Sequence, residues 1–113
     1  MLLLINKVNG LLGICAKAGK VLSGMDLVLE EIAKKHVKLV IVATDCSEKT
    51  KKNIKYYCEK EKVEMIIYGT IFDNSKAIGK HNKAVIGIKD KNLADAIKKE
   101  IHGGGEIGKN LNS

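Results

Sequence analysis

The sequence predicts an α/β sandwich in which helices cover both sides of a largely parallel sheet. Short strand-like runs at Leu39-Val40-Ile41-Val42-Ala43, Val63 to Tyr68 and Ala84-Val85-Ile86-Gly87-Ile88, the first of them uniformly apolar, alternate with longer stretches whose apolar residues recur at helical spacing. The run at 39–43 lacks the polar alternation of a strand with one wet face, as expected of a central strand enclosed between two helical layers. With 113 residues the chain is long enough for one core without metal or disulfide help. Apolar residues make up 45% but aromatics only 4%, so that core is expected to be built from Ile, Leu, Val and Ala.

Leu4, Val8, Leu11, Leu12 and Cys15 share one face of a first helix, which Ala16 to Gly19 closes. An extended piece over Lys20 to Leu22 leads to Ser23, placed three before Asp26 in the form of a capping box, so a second helix is expected from about Gly24 to Lys35. After the strand at 39–43, Ser47 is placed to cap a third helix with Thr50, Ile54, Tyr57 and Cys58 inward and Lys49, Lys51, Lys52, Lys55 and Lys60 mostly outward. Gly69 to Ser75 reads as a loop before a short helix around Lys76 to Ile78, ended by Gly79. Leu93, Ala96, Ile97 and Ile101 define a last helix that the glycines at 103–105 are expected to terminate. Residues 1–102 thus form the expected single domain, and 103–113 a flexible Gly/Asn-rich tail.

The 20 basic residues are all lysines, against 13 acidic ones, for a formal charge of +7. Such a balance favours anionic partners, and nucleic acid is a common one for a small basic domain, although a solvated lysine surface is the plainer reading. Lysine suits phosphates as a point charge, whereas bidentate reading of guanine falls to arginine. Cys15, Cys46 and Cys58 have no C-x-x-C spacing and read as buried, reduced thiols. Met1 to Ile5 has neither the length nor the cleavage pattern of a signal peptide or membrane span, so a cytoplasmic protein without membrane contact is expected.

Catalytic machinery is not visible. Gly103-Gly104-Gly105-Glu106-Ile107-Gly108-Lys109 has P-loop spacing, but no strand precedes it and Asn110 stands where Ser or Thr would hold magnesium. Asp45 ends the central strand, where a phosphoacceptor carboxylate would sit; the first helix, however, carries Lys7 and Lys17 rather than magnesium-binding acids, and Asp45 reads better as a turn former ahead of Ser47. His36, His81 and His102 lack partners at metal or nucleophile spacing. His36 is placed at a helix end, and His81 in a lysine-rich loop suited to nucleic acid.

The constellation Ala18-Gly19-Lys20-Val21-Leu22-Ser23-Gly24-Met25-Asp26 puts a glycine where a helix begins, leaving its first N–H groups open to a phosphate or base edge, with Lys20 adding charge. Local physics alone prefers a capped turn. Gly19 to Gly24, the strand Leu39 to Ala43 with Thr44-Asp45-Cys46, the pair Tyr56-Tyr57, and Lys76-Ala77-Ile78-Gly79-Lys80 stand in the order seen in kink-turn-binding ribosomal proteins. Over about residues 6 to 101 the chain resembles that L-seven-Ae/L-thirty-e superfamily, most of all its bacterial YlxQ-like branch.

The resemblance implies a three-layer α/β/α domain with a mixed four-stranded sheet, no cofactor, and binding of an RNA internal loop with sheared G·A pairs and a sharp bend. It implies that Gly24, Met25 and Asp26 enter the RNA groove, with Asp26 where the family often has Asn and able to accept from guanine N–H groups. A second contact region would be the loop Gly79-Lys80-His81-Asn82-Lys83, with Lys76 before it; Lys17 and Lys20 complete the expected set. Strong kink-turn binders often carry apolar loop residues and a Glu followed by a Lys one turn on; Leu27, Glu30 and the lysine loop depart from that pattern, pointing to a non-standard bend, for instance in ribosomal RNA. The expectation is therefore a monomeric, non-enzymatic RNA-binding protein of translation, part of a ribonucleoprotein. The rivals are a phosphoacceptor domain using Asp45 and a ribosome-associated protein-binding module.

Overall fold

The computed structural model describes residues 2–112, with side chains described from Lys7 to Gly103. In chain order the elements are α1 (Leu2–Lys17), β1 (Val21–Ser23), α2 (Met25–Ala33), β2 (Leu39–Val42), α3 (Glu48–Glu61), β3 (Glu64–Ile67), α4 (Ile71–Ala77), β4 (Val85–Ile88) and α5 (Lys91–Asn112). The strands form one mixed sheet in the order β1-β4-β2-β3.

Only β2 and β3 pair in parallel; β4 runs antiparallel to both β1 and β2. The mixed four-stranded sheet that the resemblance implies is therefore present, while the largely parallel sheet read from the alternation of elements is corrected. Alternation with helices does make β1, β2 and β3 point the same way, but β4 opposes them and occupies the gap between β1 and β2, so two of the three pairings are antiparallel.

β2 shows why the sheet needs two helical layers. Leu39 and Ile41 pack with Val8, Leu12 and Cys15 of α1 and Ala94 and Ile97 of α5, while Val40 and Val42 pack with Val28 and Ile32 of α2 and Ile54 and Cys58 of α3. All four strand residues are buried, which the period of two would forbid if either face met water. On β4 Gly87 lies close under α2 and the connection after it, and a Cβ there would just reach van der Waals contact, 3.4 Å from both Val28 and Val37.

Several local expectations are revised. Ser23 does not cap α2; it pairs with Ile86 as the last residue of β1, and Gly24 is the N-cap without any side-chain hydrogen bond. Ser47 does cap α3, its side chain accepting from the Thr50 N–H. Tyr57, expected inward, is exposed and meets Tyr56 edge-on with 5.0 Å between ring centroids. Lys51, expected outward, lies along the surface with Nζ donating to the Thr44 carbonyl at 2.8 Å. α4 begins at Ile71, five residues earlier than expected, because Thr70 caps it by accepting from the Asp73 N–H while Asp45 Oδ1 accepts from the Ile71 N–H. The backbone of α5 continues through Gly103, Gly104 and Gly105 to Asn112. Glycine disfavours a helix by about 1 kcal/mol relative to alanine yet keeps its N–H, so it weakens the ladder without breaking it.

Cys15, Cys46 and Cys58 are buried and free, and burial pushes the Cys15 and Cys58 thiols up to about 11. Among the described residues no helix is long and apolar enough to cross a membrane.

Candidate nucleic-acid interface

Two segments distant in sequence meet at one end of the sheet. The Gly24 N–H donates to the Val85 carbonyl at 2.9 Å, tying the start of α2 to the start of β4. Gly24 has φ 98° and ψ 146°, a region essentially reserved for glycine, and a Cβ built there would stand 3.8 Å from Lys83 Nζ. Val28 is the first residue of α2 whose N–H returns to the Gly24 carbonyl, leaving the N–H groups of Met25, Asp26 and Leu27 without intrahelical acceptors. Asp26 and Leu27 are exposed, whereas Met25 packs partly against the α2–α3 core. The opening turn therefore presents backbone donors and the Asp26 carboxylate to solvent, with the Lys83 ammonium alongside.

The loop from Gly79 to Lys83 is held rather than loose. Ser75, buried on α4, accepts from the Lys83 N–H at 2.7 Å and donates to the Lys83 carbonyl at 3.3 Å. Gly79 and Asn82 take left-handed backbone conformations, with φ 72° and 54°. The resulting curl and α4 enclose a cleft of about 390 Å³ lined by Phe72, Ser75, Lys76, Gly79, Lys80, His81 and Asn82. Phe72 is 71% exposed, and Lys76 Nζ lies 5.9 Å from its ring centroid, within cation–π range. Lys76, Lys80 and Lys83 form no ion pair among the described residues, so their charge is available to an incoming anion.

Gly24, Met25, Asp26, Lys76, Gly79, Lys80, His81, Asn82 and Lys83 are thus brought to one end of the molecule. Lys20 is not. Its carbonyl accepts from the Lys89 N–H at the opposite end of β1, four strand steps or roughly 13 Å from Gly24. Lys17 closes α1 three residues before it, and among the described residues no hydrogen bond or ion pair joins either lysine to Gly24 or the 79–83 loop. The sequence placed Lys20 beside Gly24 because four residues separate them; an extended strand turns that short interval into distance.

Phe72 and Ser75 were missed as site residues. Both fell in a stretch that reads as loop, and an apolar residue among Asp, Asn and Ser carries no signal that its ring faces solvent. Ser75→Ala is expected to leave the Lys83 N–H unpaired at a half-buried position, at a cost of about 1–3 kcal/mol, and to loosen the loop. Thermal unfolding reports the first effect, and faster amide exchange at residues 79–83 the second.

The remaining polar candidates are engaged structurally. The Asp45 carboxylate serves α4 through the Ile71 N–H. Glu30 pairs with Lys34 at 3.2 Å, one turn along α2, which screens its charge from the helix start. His36 Nδ1 lies 2.8 Å from Glu31 at the end of α2. Among the described residues no group of three or more His, Cys, Asp or Glu side chains is placed to hold a metal ion.

Comparison with known proteins places this geometry in a family. Residues 6–100 match the model described as the ribosomal protein L7Ae/L30e/S12e/Gadd45 family. A protein of Enterococcus faecium named RNA-binding protein YlxQ is 34% identical over 97 residues, covering 86% of this chain and 93% of that one. The Bacillus subtilis (strain 168) protein of the same name is 33% identical over 87 residues, covering 77% and 87%. A solved structure of a protein of unknown function from Bacillus halodurans C aligns with a TM-score of 0.82 at 31% identity, over 85% of this chain and 97% of that one. Matched along nearly its whole folded length, the chain belongs to the ribosomal protein L7Ae/L30e/S12e/Gadd45 family.

Proposed function

We propose that this protein binds structured RNA, a bent helix or internal loop of the kink-turn kind, and works in association with the ribosome or translation. The observation that carries the reading is the meeting of the α2 start with the lysine-bearing curl 79–83: open N–H groups and ammonium groups without an ion pair among the described residues face the same solvent. Lys76, Lys80 and Lys83 position phosphates; Gly24 lets the RNA approach the backbone; Asp26, Met25, His81 and Asn82 meet base edges and shape. The names of the YlxQ relatives support the same ligand class.

In this reading the protein is a monomer of the cytoplasm without catalytic activity or cofactor, and residues 1–102 are the RNA-binding domain. Phe72 offers the ring on which an unpaired base stacks. Phe72→Ala is expected to weaken RNA binding by about 1–3 kcal/mol while leaving stability nearly unchanged, since the ring is mostly in solvent. Fluorescence anisotropy with an RNA carrying an internal loop, set against a fully paired duplex of equal length, tests the function. Tighter binding of the looped RNA, with affinity falling steeply as salt rises, is expected; equal and weak binding of both would refute the reading.

A further inference from the structure

We propose that the opposite end of the sheet carries a second RNA-contacting face, a cationic patch of Lys20, Lys35, His36, Lys38 and Lys89 that grips the phosphate backbone of a double-helical stretch. The proposal rests on the RNA-binding reading above and adds a second, separate point of contact to it.

Three chain segments build the patch: the turn before β1, the connection from α2 to β2, and the residue after β4. Their backbones are locked together. The Lys89 N–H donates to the Lys20 carbonyl at 2.8 Å, the Lys38 N–H to Ile88 at 2.7 Å and the Lys20 N–H to Cys15 at 2.8 Å. The five side chains alone line a shallow depression of about 290 Å³. A depression walled by four lysines and a histidine and open to solvent suits a ridge of phosphates better than an enclosed small molecule.

Nearby acids engage Lys35 and His36 and leave the other three lysines uncancelled. Glu31 is taken by His36 and Lys34, and Glu61 by Lys35 at 3.0 Å. Asp90, next to Lys89, turns its carboxylate to the start of α5, where Oδ2 accepts from the Leu93 N–H. Lys20, Lys38 and Lys89 remain without an ion pair among the described residues. The patch contains no Phe, Tyr, Trp or aliphatic residue, so it lacks the apolar anchor that dominates protein–protein hot spots. Four lysines around a single imidazole, itself engaged by Glu31, are the composition of a surface that reads charge and not bases.

The two faces are separated by β1, roughly 13 Å of edge strand, which exceeds the Debye length of about 8 Å at physiological salt. β1 itself, Val21-Leu22-Ser23, carries no acidic side chain to repel a polynucleotide running along it. A flanking arm of the RNA held at the first face, or a second RNA helix, supplies the same phosphates.

The test compares a short looped RNA, the same RNA with one stem extended by about ten base pairs, and a separate plain duplex added to the preformed short-RNA complex, using wild type and Lys20→Glu/Lys38→Glu/Lys89→Glu. If the arm is in cis, extension tightens wild-type binding by about tenfold and the variant loses that gain, with a log–log salt slope lower by about 2–3. If the helix comes in trans, wild type forms a ternary complex with the duplex and the variant does not. In either case the variant binds the short RNA as wild type does. Lysine acetylation footprinting of the wild-type protein serves should the variant misfold, with protection of Lys20, Lys38 and Lys89 by the extended RNA or the duplex expected. No gain from extension together with no ternary complex overturns the proposal and leaves the patch to an acidic protein. Failure of wild type to distinguish the short looped RNA from duplex, with duplex binding still lost in the variant, would instead sink the first reading and keep this one.

Discussion

Lys76→Glu/Lys80→Glu/Lys83→Glu is expected to lower affinity for a looped RNA by on the order of a hundredfold near about 100 mM salt, and to flatten the log–log salt dependence by about 3. The size follows from counterion release. Each lysine that neutralises a phosphate frees roughly one condensed ion, and the three replacements remove three such contacts and add repulsion. None of the three lysines forms an ion pair among the described residues, so no partner charge is stranded. Lys76 and Lys80 are exposed and Lys83 half-buried, and the backbone of Lys83 stays clamped by Ser75 whatever its side chain. Circular dichroism and the melting temperature should therefore change little. A folded triple variant with the wild-type affinity and salt slope would remove the α4–β4 end of the molecule from the interface.

That experiment separates two faces which the sequence merged. The two helical layers and the inward Ile54 and Cys58 of α3 were legible because periodicity reports burial directly. Ser47 was legible as a cap because the serine is free of any strand. Ser23 was not, since pairing with Ile86 of β4 takes it into the sheet, and a partner 63 residues away leaves no trace in a local pattern. The direction of β4 escaped for the same reason.

The candidate site was legible in its parts and not in its assembly. Glycine at 24 and the lysine-rich curl could be singled out from residue types, but their meeting depends on the pairing of β1 with β4, which the bond from the Gly24 N–H to Val85 extends. Lys20 was assigned to the wrong end because proximity in sequence was read as proximity in space. Phe72 and Ser75 lay in a polar stretch without helical periodicity, and only Thr70 and the distant Asp45 carboxylate make that stretch a helix.

Gly69→Ala is expected to be the most destabilising of the conservative changes, at about 3–5 kcal/mol, because two independent costs add. Gly69 has φ 69°, and holding an L-residue there costs about 1–3 kcal/mol. The new Cβ would also overlap Asn74 Oδ1 and approach Asn74 Cγ to 3.0 Å. Asn74 is tethered: it is 1% exposed, and its Nδ2 donates to the Tyr68 carbonyl at 2.8 Å, a bond that any displacement of the amide would break. Gly69 itself receives both the Thr44 N–H and the Thr44 hydroxyl on its carbonyl, so displacement would spread from the end of β3 to the end of β2. Against a total stability of about 5–15 kcal/mol, a loss of this size would lower the melting temperature by roughly 15 °C. Gly79→Ala is the control, since φ is similar at 72° but no atom lies within 4 Å of the added methyl, and the backbone strain alone remains. In a double-mutant cycle Asn74→Ala should relieve part of the Gly69→Ala penalty, because removing the amide removes the overlap. Equal losses for Gly69→Ala and Gly79→Ala would mean that Asn74 does not hold the β3–α4 junction, and with it the placement of Phe72, Ser75 and Lys76 would need another cause.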